Sequence, residues 1–543
     1  MKSIFTYYIT TIVILWAAFS SCSKSLDVRP TVPVESEFFE SEYNVQQAIG
    51  GCYAGFANIY SAQLDAMTDI NPGAYLGAPQ FWMLPGDDIT NRDGSNADLE
   101  AFSGLNTNNG RVAAIWGRYY QIIFRTNFIL EKLELPEIQA LYKRQGLLNA
   151  NKGEALFIRS WAFYRLWDWF RKAPIQNKRI AAIDASRLPP SKGFAMLDTA
   201  IADLEKAVAL LPDASFWNAG TEKGRVWNES AYAALVKCYV LRARYNNKST
   251  DDYNKAIAAF QKITTRTLVK FPENFDYRFQ NNSESLFEYQ AGHAVRQDNA
   301  WLDNNFGDNA GQMGVFYHYF TNYWANYNSG IYGPTQKLIK SFEAGDPRLE
   351  QTASKTVFTN VYGDVDEPSG PVWDYFHGYQ FQKYVRPGRC IFEPTWKINS
   401  MNNYRMMRYA DIKLLAAEAY LNTGNTNEAL KQVNDIRARA RASAEDGSTA
   451  SVPADLPSVT MQNIMDERYR ELAGEDGIRW SDLRSWHAAG FIDLSKWTIA
   501  DFGYELPAAN FEFKVPKHLL FPIPQSEMDA NPLMLADGNN PGY

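Results

Sequence analysis

Cysteine is scarce in this chain, and its scarcity excludes a disulfide-dependent fold. The 543 residues contain four cysteines: Cys22, Cys52, Cys238 and Cys390. Stability must therefore come from a hydrophobic core, for which a hydrophobic content of 46% is ample. Cys52 and Cys238 lie within apolar helical patterns, so we expect both thiols to be buried.

Basic residues are not in excess, and the sequence has no run of lysine or arginine. There are 54 basic and 61 acidic residues, which gives a formal net charge of -7. Binding to nucleic acid depends on the neutralisation of phosphates. Nucleic acid is therefore not an expected partner.

Common catalytic motifs are also missing. The sequence contains no G-x-S-x-G, H-E-x-x-H, Walker A or C-x-x-C pattern, and its five histidines show no ligand spacing. We therefore expect no catalytic residue, no cofactor and no metal. The adjacent acids Asp87 and Asp88 leave two alternatives open: a carboxylate pair for glycoside hydrolysis, or a calcium ligand.

The N-terminus carries a targeting signal. Lys2 precedes an apolar stretch over residues 9–19, which is shorter than the about 20 residues that span a bilayer. Ser20 and Ser21 then precede Cys22, a pattern that resembles a bacterial lipobox. We predict a lipoprotein signal peptide over residues 1–21, lipidation of Cys22 and a linker over 22–37. Ordinary signal cleavage beside an unrelated cysteine is the alternative. No later stretch is apolar enough to span a membrane, so we expect membrane attachment through the lipid anchor only.

Apolar residues recur at helical spacing in three pairs of segments, which predicts helical hairpins. The pairs are residues 155–170 with 200–211, 231–241 with 256–260, and 409–420 with 429–436. Gly424 follows the first helix of the last pair and suits a left-handed C-cap. The spacing is typical of tetratricopeptide repeats. We predict a mainly α fold over residues 38–543, a scaffold of tetratricopeptide-like helical hairpins with long loop insertions at 213–225 and 272–334.

Aromatic residues are abundant, at 14% of the sequence, and they concentrate in one window. Residues 301–332 include ten aromatics, interleaved with Asn, Gly, Asp and Ser, without one continuous helical or strand period. Tryptophan and tyrosine rings pack against the apolar faces of sugars, while polar neighbours bind the hydroxyls. The window predicts an aromatic ligand platform on a loop, and packing of the same rings in the core is the alternative. The candidate ligand residues here are Trp301, Tyr317, Tyr319, Tyr323, Trp324 and Tyr327.

The C-terminal third resembles one known family, and weaker matches extend forward over nearly the whole mature protein. The matching motifs are Arg408-Tyr409-Ala410-Asp411-Ile412, Asn434-Asp435-Ile436-Arg437, Asp466-Glu467-Arg468, Gly477-Ile478-Arg479-Trp480, Leu520-Phe521-Pro522-Ile523-Pro524 and Asn540-Pro541-Gly542-Tyr543. Together and in this order they are similar to the SusD/RagB family. The charges in these motifs are expected to form partly buried ion pairs. They include Glu467, Arg468, Glu471, Arg479 and Asp482.

The resemblance implies a non-catalytic lipoprotein of the outer membrane, exposed at the cell surface. It further implies that the protein captures oligosaccharides or polysaccharides and passes them to a SusC-like TonB-dependent transporter. A loop early in the sequence would complete the ligand site, and Trp217 is a lesser candidate. The early residues are Trp82, Asp88, Asn91 and Arg92. A glycan-degrading enzyme and a tetratricopeptide scaffold that binds only protein are the alternative functions.

Overall fold

A computed structural model describes most of the protein beyond its N-terminal segment. The described residues are 38–60, 79–91, 97–180, 187–290, 332–358, 368–371, 376–384, 391–392, 399–400, 403–505 and 510–543. Cys22, Arg92 and the six aromatic candidates between Trp301 and Tyr327 lie outside these residues.

The described residues are mainly helical, as predicted. Helices α1 to α10 are Glu42–Ala54, Ala57–Tyr60, Pro79–Met83, Ala97–Glu100, Gly110–Lys132, Pro136–Gln139, Leu147–Phe170, Ala195–Leu210, Asn228–Tyr245 and Thr250–Phe260. Helices α11 to α19 are Gln336–Ser341, Pro347–Thr352, Tyr409–Asn422, Thr426–Arg441, Met461–Leu472, Ile478–Ala488, Ile499–Phe502, Gln525–Ala530 and Pro532–Asp537.

The described strands are short and pair only in twos. They are β1 Ile89–Asn91, β2 Ser285–Tyr289, β3 Tyr332–Pro334, β4 Ala353–Ser354, β5 Thr356–Phe358, β6 Pro368–Pro371, β7 Gln380–Phe381, β8 Ile391–Phe392, β9 Asn399–Ser400 and β10 Tyr404–Arg408. The antiparallel pairs are β1 with β3, β2 with β10, β4 with β7, β5 with β6, and β8 with β9.

The helices stack side by side in a continuous array. Helix α7 packs between α5 and α8, α9 packs between α8 and α10, and α13 packs on α10, α14 and α15. The pairs α7–α8, α9–α10 and α13–α14 are the three predicted hairpins. Helices α10 and α13 are neighbours although about 150 residues separate them, so the long insertion between them leaves and re-enters one scaffold.

The turn between α13 and α14 shows how the sequence ends a helix. Gly424 has φ +85, the left-handed conformation that its lack of a Cβ permits. The N–H of Asn425 donates to the carbonyl of Tyr420 at 2.8 Å, and the N–H of Gly424 donates to that of Leu421 at 3.2 Å. This pair of bonds is a Schellman motif, and it confirms the predicted C-cap.

Buried ion pairs join the C-terminal helices to the rest of the scaffold, as the motifs predicted. Arg348 in α12 lies 2.6 Å from Glu467 and 3.0 Å from Glu471. Arg468 binds Asp482 at 2.7 Å, and Arg479 binds the early residue Asp87 at 2.5 Å. Burial alone would raise the pKa of Glu471, but the guanidinium groups of Arg439, Arg408 and Arg348 outweigh it and lower the pKa to about 2. These charges are satisfied structural groups.

Cys52 and Cys238 confirm the expectation of buried thiols. Both are unpaired and nearly inaccessible to solvent. Burial raises the pKa of each thiol to about 12. A thiol of that pKa carries almost no thiolate at neutral pH, so neither side chain is a nucleophile.

Candidate functional site

The strand pair β1–β3 connects the two parts of the sequence that were predicted to form the ligand site. Ile89 lies opposite Pro334, and Asn91 lies opposite Tyr332. From Asn91 the sequence runs into the early polar segment, and it enters β3 at Tyr332 from the aromatic window. The two predicted halves therefore attach to the same end of one antiparallel pair, although about 240 residues separate them.

A cluster of buried rings, which we call the aromatic floor, includes Trp82 of helix α3, the helix that precedes β1 in the sequence. The ring centroid of Tyr60 is 5.3 Å from that of Trp82, 5.7 Å from that of Tyr289 and 5.4 Å from that of Tyr404. Tyr384 packs on Tyr404 at 5.1 Å. The floor thus joins residues that are far apart in the sequence.

One buried carboxylate connects the floor to the C-terminal motifs. The hydroxyl of Tyr60 donates to Asp476 at 2.9 Å, and the N–H of Asp476 donates to the hydroxyl of Tyr404 at 2.6 Å. Arg165 of α7 forms an ion pair with Asp476. Burial raises the pKa of Asp476 to about 6, against the opposing charge of Arg165. The floor is therefore held by hydrogen bonds as well as by ring packing.

Trp82, one of the predicted ligand residues, lies in the core. Its side chain is only 1% exposed, and the indole stacks on Trp169 with a centroid distance of 5.6 Å and an interplanar angle of 7°. A Cβ at Gly477, which has φ +64, would lie 2.7 Å from the indole. The short helix α3 packs Phe81 and Trp82 into the core, so Trp82 is part of the floor. Its contact with ligand stays a prediction.

The adjacent acids Asp87 and Asp88 have different partners. Arg479 and Lys337 bind the carboxylate of Asp87, the latter at 2.7 Å, and outweigh the effect of burial, so that its pKa is lowered. The hydroxyls of Tyr469 and Thr335 donate to the Asp87 carbonyl at 2.6 and 2.7 Å. These contacts hold the residue that leads into β1.

Asp88 is buried beside its neighbour, with a side chain 3% exposed. The N–H of Gly474 donates to its carboxylate at 2.7 Å, and burial raises its pKa to about 6. Both acids are thus engaged in fixing β1, which favours a structural role over catalysis or calcium binding. Within the described ranges, no group of three or more His, Cys, Asp or Glu residues could hold a metal ion.

Asn91, the last residue of β1, is fully buried. Its N–H donates to the carboxylate of Glu100 at 3.0 Å, and the hydroxyl of Thr90 donates to the same oxygen at 2.6 Å. Glu100 therefore anchors the strand where the predicted early loop begins. Asn91 and Asp88 are both buried, and contact of either with ligand stays a prediction.

Sequence reasoning missed an amide clamp at Gln290, eleven residues before the aromatic window begins. The amide group of Gln290, the last described residue before the window, exchanges two hydrogen bonds of 2.9 Å with Asn281. Asn403 donates to Gln290 at 3.0 Å and to Glu288 at 2.8 Å. Gly224 lies so close that a Cβ there would be 2.3 Å from Gln290. The clamp joins residues that are more than 100 positions apart, and no local pattern signals it.

Trp217, the lesser candidate, is also a structural residue. Its side chain is 8% exposed, its indole N–H donates to the carbonyl of Val226 at 3.0 Å, and Arg225 lies over its ring at 4.3 Å.

None of the helices in the described ranges is both long enough and apolar enough to cross a membrane.

Two family models match this protein, and they flank the aromatic window. One, described as the SusD family, matches residues 373–543. The other, described as starch-binding and associating with the outer membrane, matches residues 26–240. Together they cover more than two thirds of the sequence, including β1, the hairpins α7–α8 and α13–α14, and Glu467, Arg468, Glu471, Arg479 and Asp482 of the C-terminal motifs.

Curated relatives match along the full length. SusD-like protein P2 of Formosa agariphila is 25% identical over 577 residues, which cover 99% of this chain and 99% of that protein. SusD-like protein P25 of the same organism is 23% identical over 98% of this chain and 99% of its own.

Solved structures share the fold. A laminarin-binding SusD-like protein has a TM-score of 0.66 and 21% identity, over 93% of this chain and 100% of its own. Surface glycan-binding protein A from Bacteroides uniformis has a TM-score of 0.65 and 20% identity, over 91% of this chain and 99% of its own. With its helical hairpins, its buried C-terminal charges and its matches to both family models, the protein belongs to the SusD/RagB family.

Proposed function

We propose that this protein is a glycan-capture lipoprotein of the cell surface, and that it binds oligosaccharides without cleaving them. The observation that carries the proposal is the register of β1 and β3, which places Asn91 opposite Tyr332. It attaches the early polar segment and the aromatic window to one end of one strand pair. A sugar needs such a combination of ring faces and polar hydrogen-bonding groups.

The supports around this strand pair suit a binding site that must keep its shape. Asp87 and Glu100 fix the backbone around β1, the Gln290 clamp fixes it eleven residues before the aromatic window, and the side chains of Asp87, Glu100 and Gln290 are buried. A site held in advance loses less conformational entropy when a ligand binds. Two or three ring contacts and a few hydrogen bonds suggest a dissociation constant of about millimolar to micromolar. Weak binding of this kind permits release of the cargo.

Delivery to a SusC-like TonB-dependent transporter and attachment through Cys22 complete the proposal. The lipobox-like segment ending at Cys22 supports the anchor, and the described outer-membrane association of the family supports the location. The names of the laminarin-binding and surface glycan-binding neighbours support a carbohydrate cargo. The structural engagement of Asp87 and Asp88 argues against glycoside hydrolysis at this pair.

The test is affinity electrophoresis of the protein from residue 22, with Cys22→Ser, through gels that contain different polysaccharides. Starch and laminarin belong in the panel. We expect one glycan class to retard the protein, and we expect Trp324→Ala and Trp301→Ala to weaken that retardation. Each lost ring contact corresponds to an affinity about 2- to 12-fold lower, from about 0.5–1.5 kcal/mol per aromatic contact.

Tyr43→Ala is the matched control, because this ring is 68% exposed on α1 and belongs to neither predicted half of the site. It should leave retardation unchanged. Retardation that survives both tryptophan changes would refute the predicted platform. Shortened polysaccharide after incubation would refute capture without cleavage.

A further inference from the structure

An apolar groove runs along helix α5, and none of the candidate ligand residues lines it. It has a volume of about 410 Å³, within the about 300–1,000 Å³ of typical small-ligand sites. Gly117, Phe124 and Ile180 contribute to its lining, and Phe124 is 50% exposed. Residues 117, 121 and 124 recur at helical spacing, so one face of α5 forms one wall. A helix face of this kind, with a large exposed ring, is typical of a surface that binds another polypeptide segment or ligand.

The polar groups in this groove are largely used within the protein. The hydroxyl of Tyr120 donates to the carbonyl of Pro174 at 2.7 Å, and Arg125 donates to that of Gly51 at 2.6 Å. The amide of Asn127 donates to the carbonyls of Gln176 and Lys178 and accepts from Arg159. A sugar would leave many hydroxyls unpaired here. The groove therefore favours an apolar peptide segment over a glycan.

The first described residues of the protein pack on the same helix as the groove. The described residues begin at Phe38, and the ring of Phe39 packs on Phe128 of α5 at 6.0 Å. Phe128 is four residues beyond Phe124, about one helical turn along the same face. Because an extended polypeptide advances about 3.3 Å per residue, residue 34 is close enough to enter the groove.

The composition of the linker also fits. Residues 28–34 read Val-Arg-Pro-Thr-Val-Pro-Val, a stretch whose prolines favour an extended conformation with little entropy to lose. Proline-containing segments of this kind commonly bind in aromatic-lined grooves. The acidic residues Glu35 and Glu37 follow, and the groove carries the basic residues Arg125 and Lys178.

We infer that residues 28–34 of the linker dock in the α5 groove, so that the anchor tether is held against the body. The docking itself is independent of the glycan proposal, and its consequence rests on the proposed lipid at Cys22. Sixteen residues separate Cys22 from Phe38, a reach of about 50 Å when extended. With residues 28–34 held on α5, the free tether shortens from sixteen positions to six, and its exit point from the body is fixed. The tether thereby sets the orientation of the protein above the membrane.

Hydrogen exchange of the protein from residue 22, with Cys22→Ser, tests the docking. We expect the amides of Val32 and Val34 to exchange at least tenfold more slowly than in an unstructured peptide. Gly117→Leu should restore the unstructured rate, because nothing lies within 4 Å of a Cβ at Gly117 and the new side chain fills the groove without a clash. Cleavage after Glu35 by a glutamate-specific protease should accelerate at least fivefold in the same variant.

Gly110→Leu is the matched control, since Gly110 also lies in α5 with open space around its Cβ and does not line the groove. It should change neither the hydrogen exchange of Val32 and Val34 nor the rate of cleavage after Glu35. Unstructured exchange at Val32 and Val34 in the parent protein, or protection that Gly117→Leu leaves intact, would overturn the inference. Protection that grows with protein concentration would also overturn it, by assigning the groove to a second copy. Glycan retardation should persist in Gly117→Leu, so that failure of either proposal is recognised separately.

Discussion

Replacing Arg348 with methionine should destabilise the protein more than any exposed ion-pair change. Arg348 is completely buried and binds Asp346, Glu467 and Glu471 at 2.6–3.0 Å. Methionine fills part of the space but leaves three buried carboxylates without a shared cation. Breaking a buried pair in this way costs about 3–5 kcal/mol.

This free energy converts to a modest shift in melting temperature, because the domain is large. An unfolding entropy of about 2.1 cal/mol/K per residue gives about 1 kcal/mol/K for roughly 500 residues. We therefore expect Tm to fall by about 3–5 °C in differential scanning calorimetry at pH 7. Arg441→Met is the control, because Arg441 binds Asp455 in a pair whose side chains are 19% and 56% exposed. Such pairs contribute about 0–1 kcal/mol.

The pH dependence of stability gives a second readout of the ion pair between Arg348 and Glu467. The pKa of Glu467 is about 2 in the folded protein because Arg348, Arg470 and Arg437 outweigh burial, against about 4.3 when unfolded. Its contribution to stability is therefore complete above about pH 4.3 and is lost as the pH falls toward 2. The difference in Tm between the parent protein and Arg348→Met should therefore become smaller as the pH falls from 7 to 3. A Tm change as small as that of Arg441→Met, or a difference independent of pH, would refute this reasoning.

Further changes probe individual features of the fold. Asp88→Asn should flatten the pH dependence of Tm between about pH 4 and 6.5. The pKa of Asp88 is about 6 in the folded protein, against about 3.9 when unfolded, so its contribution to stability falls as the pH rises through this window and is constant above it. Parallel pH profiles of the two proteins would contradict this. Gly424→Val should lower the free energy of unfolding by more than 1 kcal/mol, because φ +85 strains a β-branched residue. Gly51→Ala, in a helix with open space at its Cβ, should not lower it. Equal urea midpoints for the two variants would refute the C-cap role of Gly424. Gln290→Ala should weaken glycan retardation while the circular dichroism spectrum stays native, because the clamp holds the backbone that leads into the aromatic window. Unchanged retardation would contradict that positioning role.

The helical scaffold followed from the sequence because its signals are local. Apolar spacing defined the three hairpins, and Gly424 marked the turn between the last two helices. The C-terminal charges were predicted to form buried pairs because they lie in motifs that resemble the family and because a core tolerates only paired charges. The partner of Arg479 could not be read in this way, since Asp87 lies almost 400 residues away.

The sequence predicted the candidate site only in outline. An aromatic residue next to polar residues reads the same whether its ring faces solvent or the core, and Trp82 lies in the core on Trp169. The clamp of Gln290 and Asn403 forms only when β2 and β10 pair, so it has no sequence period. The meeting of Asn91 and Tyr332 likewise depends on strand pairing across a long insertion.

Calorimetric titration with an oligosaccharide from the retarding polysaccharide, followed by chromatography of the recovered sugar, tests capture without cleavage most directly. The account predicts saturable binding with a dissociation constant of about millimolar to micromolar, weakened by Trp324→Ala, and an oligosaccharide recovered at its original length. No saturable binding, or recovery of shorter products, would contradict it.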